Sequence, residues 1–128
     1  MTDDTTDNSL HVSQWIDEDA AEVYAFAADP ANLPRWAAGL ADPKLAAVEM
    51  EFAARNDFGV LDHVVTLPSG ESFYNPMRVI PAGLDEPGCE VVFTLRRLSG
   101  VTDEEFSADA AAVAADLATL RSLVERLN

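Results

Sequence analysis

The segment TDEEFSADAAAVAADLATLRSLVERLN, residues 102–128, decides the fold. Its apolar residues recur alternately four and three positions apart, which is the spacing of one face of an α-helix. That face consists of Phe106, Ala110, Val113, Leu117, Leu120, Val124 and Leu127. Thr102 and Glu105 have the spacing of a capping box at the start of the helix. The pattern predicts a long amphipathic helix, and the rest of the chain must supply the apolar surface that it covers.

The composition restricts the classes of partner. The 128 residues carry 23 acidic and 8 basic side chains, for a net charge of -15. We expect no nucleic acid partner and no membrane partner, because both require clustered basic residues. Cys89 is the single cysteine, which excludes an internal disulfide. His11 and His63 lack the companions and spacing of a metal site, so we expect no metal and no cofactor.

The length fits one domain. Residues 1–8 are polar and acidic and predict a disordered tail, so the domain is expected to span residues 9–128. The sequence has no apolar run long enough to cross a membrane and no signal peptide pattern, which favours a cytoplasmic protein.

The first part of the domain predicts one strand and two short helices. Residues 9–16 alternate, with Trp15 on the face opposite Ile16. Capping residues at 17–19 predict a helix that runs to about Ala28 and stops at Asp29-Pro30. Asn32 begins a second short helix, and residues 39–43 are expected to form a loop.

Four further alternations bring the predicted number of strands to five. They are residues 47–54, 58–67, 72–80 and 89–98. Asn56-Asp57 and two later turn signals predict three consecutive hairpins. The turn centres set a register that leaves one face of the sheet apolar. The predicted cross-strand rows on that face are Phe52–Leu61–Val79–Val91 and Met50–His63–Met77–Phe93.

Several stretches resemble a known superfamily. Val23-Tyr24-Ala25-Phe26, then Asp29-Pro30, Asn32-Leu33-Pro34 and Trp36, is similar to the helical segment of the SRPBCC superfamily. This superfamily includes START domains, the birch-pollen allergen and bacterial polyketide cyclase/dehydrase proteins. Residues 58–63, 77–79 and 93–95 resemble a small bacterial subgroup of it. The resemblance implies an α+β helix-grip fold, in which an antiparallel sheet wraps a long C-terminal helix. Members commonly have six or seven strands, so five imply a smaller or more open cavity.

His63 is the principal candidate for a site residue. The predicted register places it on the apolar face among Met50, Met77 and Phe93, where burial would lower its pKa. It is either a core histidine that makes one hydrogen bond or a cavity histidine that orients a ligand or acts as an acid or base. Asn75 lies diagonally across and is its expected hydrogen-bond partner.

The remaining candidates lie at the cavity mouth or on the outer face. Tyr24 and Trp36 belong to the short helices, which lean over the cavity in the resembling fold, and either contact a ligand or pack in the core. Asp62 and Arg78 are predicted to lie directly opposite each other on the outer face, with Glu51 beside Asp62. An exposed pair of this kind contributes about 0–1 kcal/mol.

Three functions remain open. The first is binding of a small, largely apolar molecule between the sheet and the long helix. The second is a polyketide cyclase/dehydrase-like enzyme with His63 as general base and Asn75 or Tyr24 holding a carbonyl oxygen. The third is an interaction protein with a filled cavity, whose outward Trp15 or edge strand pairs with a second copy to form a homodimer.

Overall fold

A computed structural model describes residues 9–37 and 49–126 of the chain. The expectations for the acidic tail, for the loop at 39–43, for residues 47 and 48 and for Leu127 lie outside the described residues. No helix in the described part is long and apolar enough to cross a membrane.

The described chain forms six strands and three α-helices. Their order is β1 Ser9–Ile16, α1 Ala20–Ala28, a 3-10 turn Pro30–Asn32, α2 Leu33–Trp36, β2 Glu49–Phe52, β3 His63–Thr66, β4 Ser72–Asn75, β5 Met77–Pro81, β6 Cys89–Arg96 and α3 Asp103–Arg126. The strands make two antiparallel three-stranded sheets, in the orders β1-β6-β5 and β2-β3-β4.

The long helix begins where its capping box predicts. The Thr102 amide donates to Glu105 Oε1 at 2.9 Å, and the Glu105 amide donates to Thr102 Oγ1 at 3.1 Å. The Thr102 amide, together with the Thr102 hydroxyl, stabilises the charged carboxylate and holds the pKa of Glu105 below its usual value. Four residues of the predicted apolar face are buried, namely Phe106, Leu117, Leu120 and Val124. The stripe therefore covers the sheet as expected.

The expected count of five strands is wrong, because Pro76 divides the predicted strand 72–80 into β4 and β5. Proline has no amide hydrogen to donate to a neighbouring strand, so the ladder is interrupted there. The backbone nevertheless continues in the same register across the interruption. Leu61 donates to the Met77 carbonyl at 2.8 Å, and Val79 donates to the Gly59 carbonyl at 2.8 Å. The two sheets are thus joined through the residues that precede β3.

The first hairpin differs from its prediction in both turn and register. Asn56-Asp57 is not a two-residue turn. Instead, Asn56 Oδ1 accepts the amides of Phe58 and Val60 at 2.9 and 3.1 Å and holds a wider loop. Gly59 adopts a φ of 72° within this loop, a conformation that disfavours side chains with a Cβ. The wider loop lengthens the connection and shifts the pairing of the strands on either side.

Both early registers shift by two residues. Phe52 pairs with His63 rather than Leu61, and Met50 pairs with Val65 rather than His63. In the second hairpin, His63 pairs with Asn75 rather than Met77. Because side chains alternate faces with a period of two, the shift changes the neighbours of His63 and leaves it on the same face.

The third hairpin has the predicted register. Met77 pairs with Phe93 and Val79 pairs with Val91. Strand β1 lies on the other side of β6, where Val12 pairs with Phe93. The fully buried core joins this sheet to the helices and consists mainly of Ile16, Val23, Ala27, Leu61, Met77, Val79, Val91, Leu117, Leu120 and Val124.

Candidate functional site

A cavity of about 300 Å³ lies between α3 and the inner face of both sheets. Strand β2 contributes Met50, β3 contributes His63 and β4 contributes Asn75. The complete lining is Trp36, Ala37, Met50, His63, Val65, Asn75, Phe93, Leu95, Asp109, Ala112, Val113, Asp116 and Leu117. The lining is mostly apolar, with a few polar groups at separate points, which is the usual composition of a small-molecule site.

His63 is buried, with 4% of its surface exposed. Its Nδ1 lies 3.0 Å from the carbonyl oxygen of Leu61. A carbonyl oxygen only accepts hydrogen bonds, so Nδ1 must carry the hydrogen, and in the neutral ring Nε2 is then an acceptor. Nε2 has no hydrogen-bond partner among the described residues. The expected bond between His63 and Asn75 is wrong: the ring bonds the Leu61 carbonyl, and Asn75 lies directly opposite His63 in the sheet rather than diagonally across.

Two aromatic rings surround the imidazole. The Phe52 ring lies edge-on at 5.4 Å between centroids, and the Phe93 ring lies at 5.9 Å. Burial among these rings lowers the pKa of His63 below its usual 6.5, against smaller opposing effects of the Leu61 carbonyl and the Asp62 charge. The direction agrees with the sequence prediction, and His63 is neutral at pH 7.

A missing backbone hydrogen bond explains the position of both buried polar residues. Leu61 and Met77 form one bond of an antiparallel pair, but the reciprocal bond from the Met77 amide to the Leu61 carbonyl is replaced. The Met77 amide donates to Asp62 Oδ1 at 2.9 Å, and His63 Nδ1 donates to the Leu61 carbonyl. The Met77 amide and the Leu61 carbonyl thus lack their usual antiparallel partner, and each is hydrogen-bonded by one of these side chains instead.

Asp62 forms a closed hydrogen-bond cluster on the outer face. It is 5% exposed and accepts Arg78 Nε and Nη2 at 2.9 Å each, as well as the Tyr74 hydroxyl at 2.6 Å. Arg78, together with the other donors, holds the pKa of Asp62 well below its usual range of about 4. The predicted ion pair exists, but its description as exposed and directly opposite is wrong. Asp62 is buried, lies opposite Pro76 and reaches Arg78 diagonally, while Glu51 pairs with Val64.

Trp36 carries a polar group without a partner. The side chain is 5% exposed and lines the cavity, and its Nε1 has no hydrogen-bond partner among the described residues. A buried N–H group without an acceptor raises the free energy of the folded state by about 1–3 kcal/mol. The other tryptophan contrasts with it, because Trp15 Nε1 donates to Asp17 Oδ1 at 2.7 Å.

The helix side of the cavity is acidic. Asp109 and Asp116 both line it from α3, separated by seven residues and so by about 10 Å along the helix axis. The lining named above contains no arginine or lysine. The two carboxylate side chains are thus the acidic groups of this wall.

The structure brings five of the seven predicted site residues together around the cavity, namely His63, Asn75, Met50, Phe93 and Trp36. Met77 is fully buried beside them and does not line the cavity. Tyr24 lines a separate cleft, where its hydroxyl accepts the Asn56 amide at 3.0 Å.

Sequence analysis missed the acidic wall and the unpaired indole. Asp109 and Asp116 are seven residues apart, and that spacing alone places them on one side of the helix. A signal for this part of the cavity was therefore present in the sequence. Nothing in the sequence shows that Trp36 lacks an acceptor, because that depends on which groups surround it after folding.

Metal binding and cysteine chemistry have less support among the described residues. They contain no group of three metal-ligating side chains. Cys89 is fully buried, and burial raises the pKa of its thiol to about 11, so it is protonated and unreactive at neutral pH.

Comparisons with known proteins identify the fold. No family model and no curated protein matches the chain. A START superfamily protein from Mycobacterium smegmatis is similar in structure, with 12% identity, coverage of 94% of this chain and 99% of that one, and a TM-score of 0.55. A protein from Thermobifida fusca has 18% identity, coverage of 94% and 95%, and a TM-score of 0.55. A protein from Thermus thermophilus has 17% identity, coverage of 94% and 99%, and a TM-score of 0.53.

These similarities extend over nearly the whole chain and agree with the α+β architecture. The chain has the START-like helix-grip fold, which confirms the fold predicted from the resemblance to the SRPBCC superfamily. At these identities the similarity establishes the fold alone, since one fold supports many functions. Function must be argued from the cavity.

Proposed function

We propose that the protein binds a small, largely apolar molecule in the cavity between α3 and the sheet. The observation that carries this proposal is the cavity itself, about 300 Å³ in volume and lined mostly by apolar side chains from three strands and two helices. That volume lies at the small end of ligand sites, which span about 300–1,000 Å³. It holds roughly ten water-sized volumes, and so suits a molecule of about ten non-hydrogen atoms.

The polar groups support a ligand with few polar atoms. His63 Nε2 is an acceptor without a partner among the described residues, and Asn75 adds a side-chain amide to the same lining. Such groups in an apolar cavity fix the orientation of a ligand, while the apolar lining supplies most of the affinity.

Native mass spectrometry of the purified protein tests the proposal first. We expect a retained small molecule, seen as added mass that is lost on collisional activation. Naphthalene, with ten carbon atoms, supplies a second test that does not depend on retention. We expect saturable naphthalene binding by the wild-type protein.

A matched pair of variants locates the binding. Ala112 and Ala114 are both exposed alanines of α3, and only Ala112 lines the cavity. Ala112→Trp should weaken naphthalene binding by about tenfold or more, because the indole obstructs the cavity, whereas Ala114→Trp should leave it unchanged. No retained molecule together with no saturable naphthalene binding would contradict the proposal.

A second candidate is an enzyme of the polyketide cyclase/dehydrase type with His63 as general base. The specific observation in its favour is a neutral imidazole with a lowered pKa and an acceptor Nε2 in the cavity. Asn75 lines the same cavity and could hold a carbonyl oxygen, whereas Tyr24 lies in another cleft. His63→Gln should preserve most of the binding and abolish turnover if the protein is an enzyme.

The third hypothesis, a filled cavity with an outer face that pairs with a second copy, has less support. The 300 Å³ cavity does not match its premise. Trp15 is exposed as predicted, but its indole nitrogen is bonded to Asp17. We therefore do not propose an interaction function.

A further inference from the structure

A second cleft, of about 580 Å³, lies between α1, the loop that follows β2 and the end of β5. Its volume is within the range of about 300–1,000 Å³ that is typical of small-molecule sites. It shares no lining residue with the cavity beneath α3. A ligand in this cleft would therefore occupy a site distinct from the one proposed above.

The loop that forms one wall of the cleft has a fixed shape. The Asn56 side chain donates to two carbonyls of the loop at 3.0 Å each and accepts two of its amides at 2.9 and 3.1 Å, which uses its full hydrogen-bonding capacity. The Asn56 amide donates to the Tyr24 hydroxyl at 3.0 Å and ties the loop to α1. A Cβ at Gly59 would collide with the Val79 carbonyl, so the loop also packs tightly against β5. The wall therefore presents its side chains from a preorganised backbone.

Two side chains of this wall are open to solvent. Phe58 lines the cleft and is 84% exposed. Arg55 also lines the cleft, and its guanidinium carbon lies 5.4 Å from the centroid of the Tyr24 ring. The three ion pairs among the described residues do not include Arg55. Contact with the ring uses the face of the guanidinium, so the N–H groups at its edge can still donate to a ligand.

The two side chains call for different parts of one ligand. A carboxylate matches Arg55, because two parallel N–H groups of a guanidinium bind both carboxylate oxygens. An aromatic or aliphatic body matches Phe58, since contact between them removes apolar surface from water. Asp57 also lines the cleft and repels an anion. A carboxylate in hydrogen-bonded contact with Arg55 gains more than this repulsion costs, because Coulomb energy falls with distance.

We propose that this cleft is a second binding site, which takes a small apolar carboxylic acid in its ionised form. The carboxylate pairs with Arg55, and the apolar body packs against Phe58. The proposal does not depend on the binding function proposed for the cavity beneath α3, because the two sites have separate linings.

Two matched compounds test the proposal at neutral pH, namely 2-naphthoate and its uncharged analogue 2-naphthamide. Titration of the wild-type protein is followed in ¹H–¹⁵N spectra, where the Gly59 amide reports on the cleft and the Val113 amide reports on the cavity beneath α3. We expect 2-naphthoate to shift the Gly59 resonance saturably, with an affinity at least about threefold higher than that of 2-naphthamide, as a partly exposed ion pair provides.

A matched pair of arginine variants tests the role of the charge. Arg55 and Arg35 each place the guanidinium about 5.4 Å from an aromatic centroid, and only Arg55 lines the cleft. Arg55→Gln should remove the preference for 2-naphthoate over 2-naphthamide at Gly59. Arg35→Gln makes the same change in net charge and should keep the preference.

A pair of alanine variants locates the site. Ala21 and Ala25 are both exposed residues of α1, and only Ala21 lines the cleft. Ala21→Trp should weaken 2-naphthoate binding at Gly59 by about tenfold or more, because the indole obstructs the cleft. Ala25→Trp should leave the affinity unchanged.

The outcomes separate this proposal from the first one. Equal affinities of the two compounds at Gly59 would overturn it, as would an equal loss of preference in Arg35→Gln and Arg55→Gln. Absence of a saturable shift at Gly59 would also overturn it, whatever is seen at Val113. Naphthalene binding at Val113 tests the cavity beneath α3 and neither supports nor contradicts the second site.

Discussion

Asp62 and His63 are adjacent in the chain, both are buried, and their side chains lie on opposite faces of the sheet. Both compensate for one missing backbone bond, Asp62 at the Met77 amide and His63 at the Leu61 carbonyl. They differ in what the rest of each side chain does. Asp62 accepts three further hydrogen bonds from Arg78 and Tyr74, whereas His63 Nε2 has no partner among the described residues.

The difference separates a structural polar group from one available to a ligand. Asp62 has its oxygens occupied and its charge neutralised by Arg78, so it stabilises the backbone at Met77 and has no free acceptor for a ligand. His63 uses half of its hydrogen-bonding capacity for the backbone and directs the other half toward an apolar cavity. Burial alone does not distinguish the two, because 5% of Asp62 and 4% of His63 are exposed.

The inner face should show the largest effects on stability. Leu117 and Leu120 are both buried residues of α3, and only Leu117 lines the cavity. Each substitution by alanine should lower the free energy of unfolding by about 2–5 kcal/mol, measured by chemical denaturation. Only Leu117→Ala should also change the affinity for naphthalene, because it enlarges the binding cavity. An unchanged denaturation midpoint for Leu117→Ala would mean that α3 does not cover this sheet.

The next largest loss of stability is expected on the outer face, at Asp62. Asp62→Asn keeps the shape and removes the charge, so Arg78 loses its ionised partner within a buried cluster. We expect a loss of about 2–4 kcal/mol in the free energy of unfolding, discounted from a fully buried pair because Arg78 is half exposed. Glu51→Gln, an exposed change on β2, should alter stability by less than about 0.5 kcal/mol.

The pH dependence of Asp62 has a definite sign. Its pKa is lowered in the folded protein, so the stabilisation is present above the usual value of 3.8 and is lost as the pH falls below it. The unfolded chain then binds a proton that the folded carboxylate does not. Asp62→Asn should reduce this loss of stability in acid. An identical acid profile in wild type and variant would mean that the cluster is not ionised as described.

Arg78→Ala should have a smaller effect than Asp62→Asn. Asp62 would keep the Met77 amide and the Tyr74 hydroxyl as donors, so we expect a loss of about 1–2 kcal/mol. This exceeds the roughly 0–1 kcal/mol expected for an exposed pair, because Asp62 is buried. Naphthalene binding should be unchanged, since Arg78 lies on the face away from the cavity. Loss of binding in a folded variant would show that the two faces are coupled.

The fold was predictable because its signals are local and repeated. The capping box, the apolar stripe and the limits of β1 and α1 each follow from a short stretch of sequence. The third hairpin also has its predicted register. The first two do not, because Asn56 holds a wide loop through its side chain and the second turn closes with the Leu67 amide donating to the Glu71 carbonyl. Both effects depend on hydrogen bonds rather than on apolar periodicity.

The site was predictable only in part. A shift of two residues preserves the face, so His63, Met50 and Phe93 reached the cavity despite the wrong register. The partner of His63 was not predictable, because the Leu61 carbonyl becomes available only where the ladder is interrupted. The same holds for Trp36, whose missing acceptor depends on the groups that surround it after folding.

His63 should give the smallest change in stability and the most direct test of the comparison. Burial lowers its pKa below 6.5, so the unfolded chain binds a proton near that pH before the folded protein does. The free energy of unfolding should therefore be unaffected above pH 7 and should fall as the pH drops below 6.5, until the folded imidazole is also protonated. NMR titration of the imidazole resonances measures the midpoint, with the exposed His11 on the outer face identifying effects common to both rings.

Ligand binding should follow the same titration, because protonated Nε2 donates and no longer accepts. The affinity for 2-naphthol, whose hydroxyl can donate to Nε2, should fall as the pH drops through the His63 midpoint, while the affinity for naphthalene, which has no hydrogen to donate, should depend less on pH. His63→Gln should remove this dependence and lower the free energy of unfolding by only about 1 kcal/mol, if its amide still donates to the Leu61 carbonyl. A His63 midpoint at or above 6.5 would mean that the imidazole is solvated, and the contrast with Asp62 would then fail, since neither residue would offer a buried acceptor to a ligand.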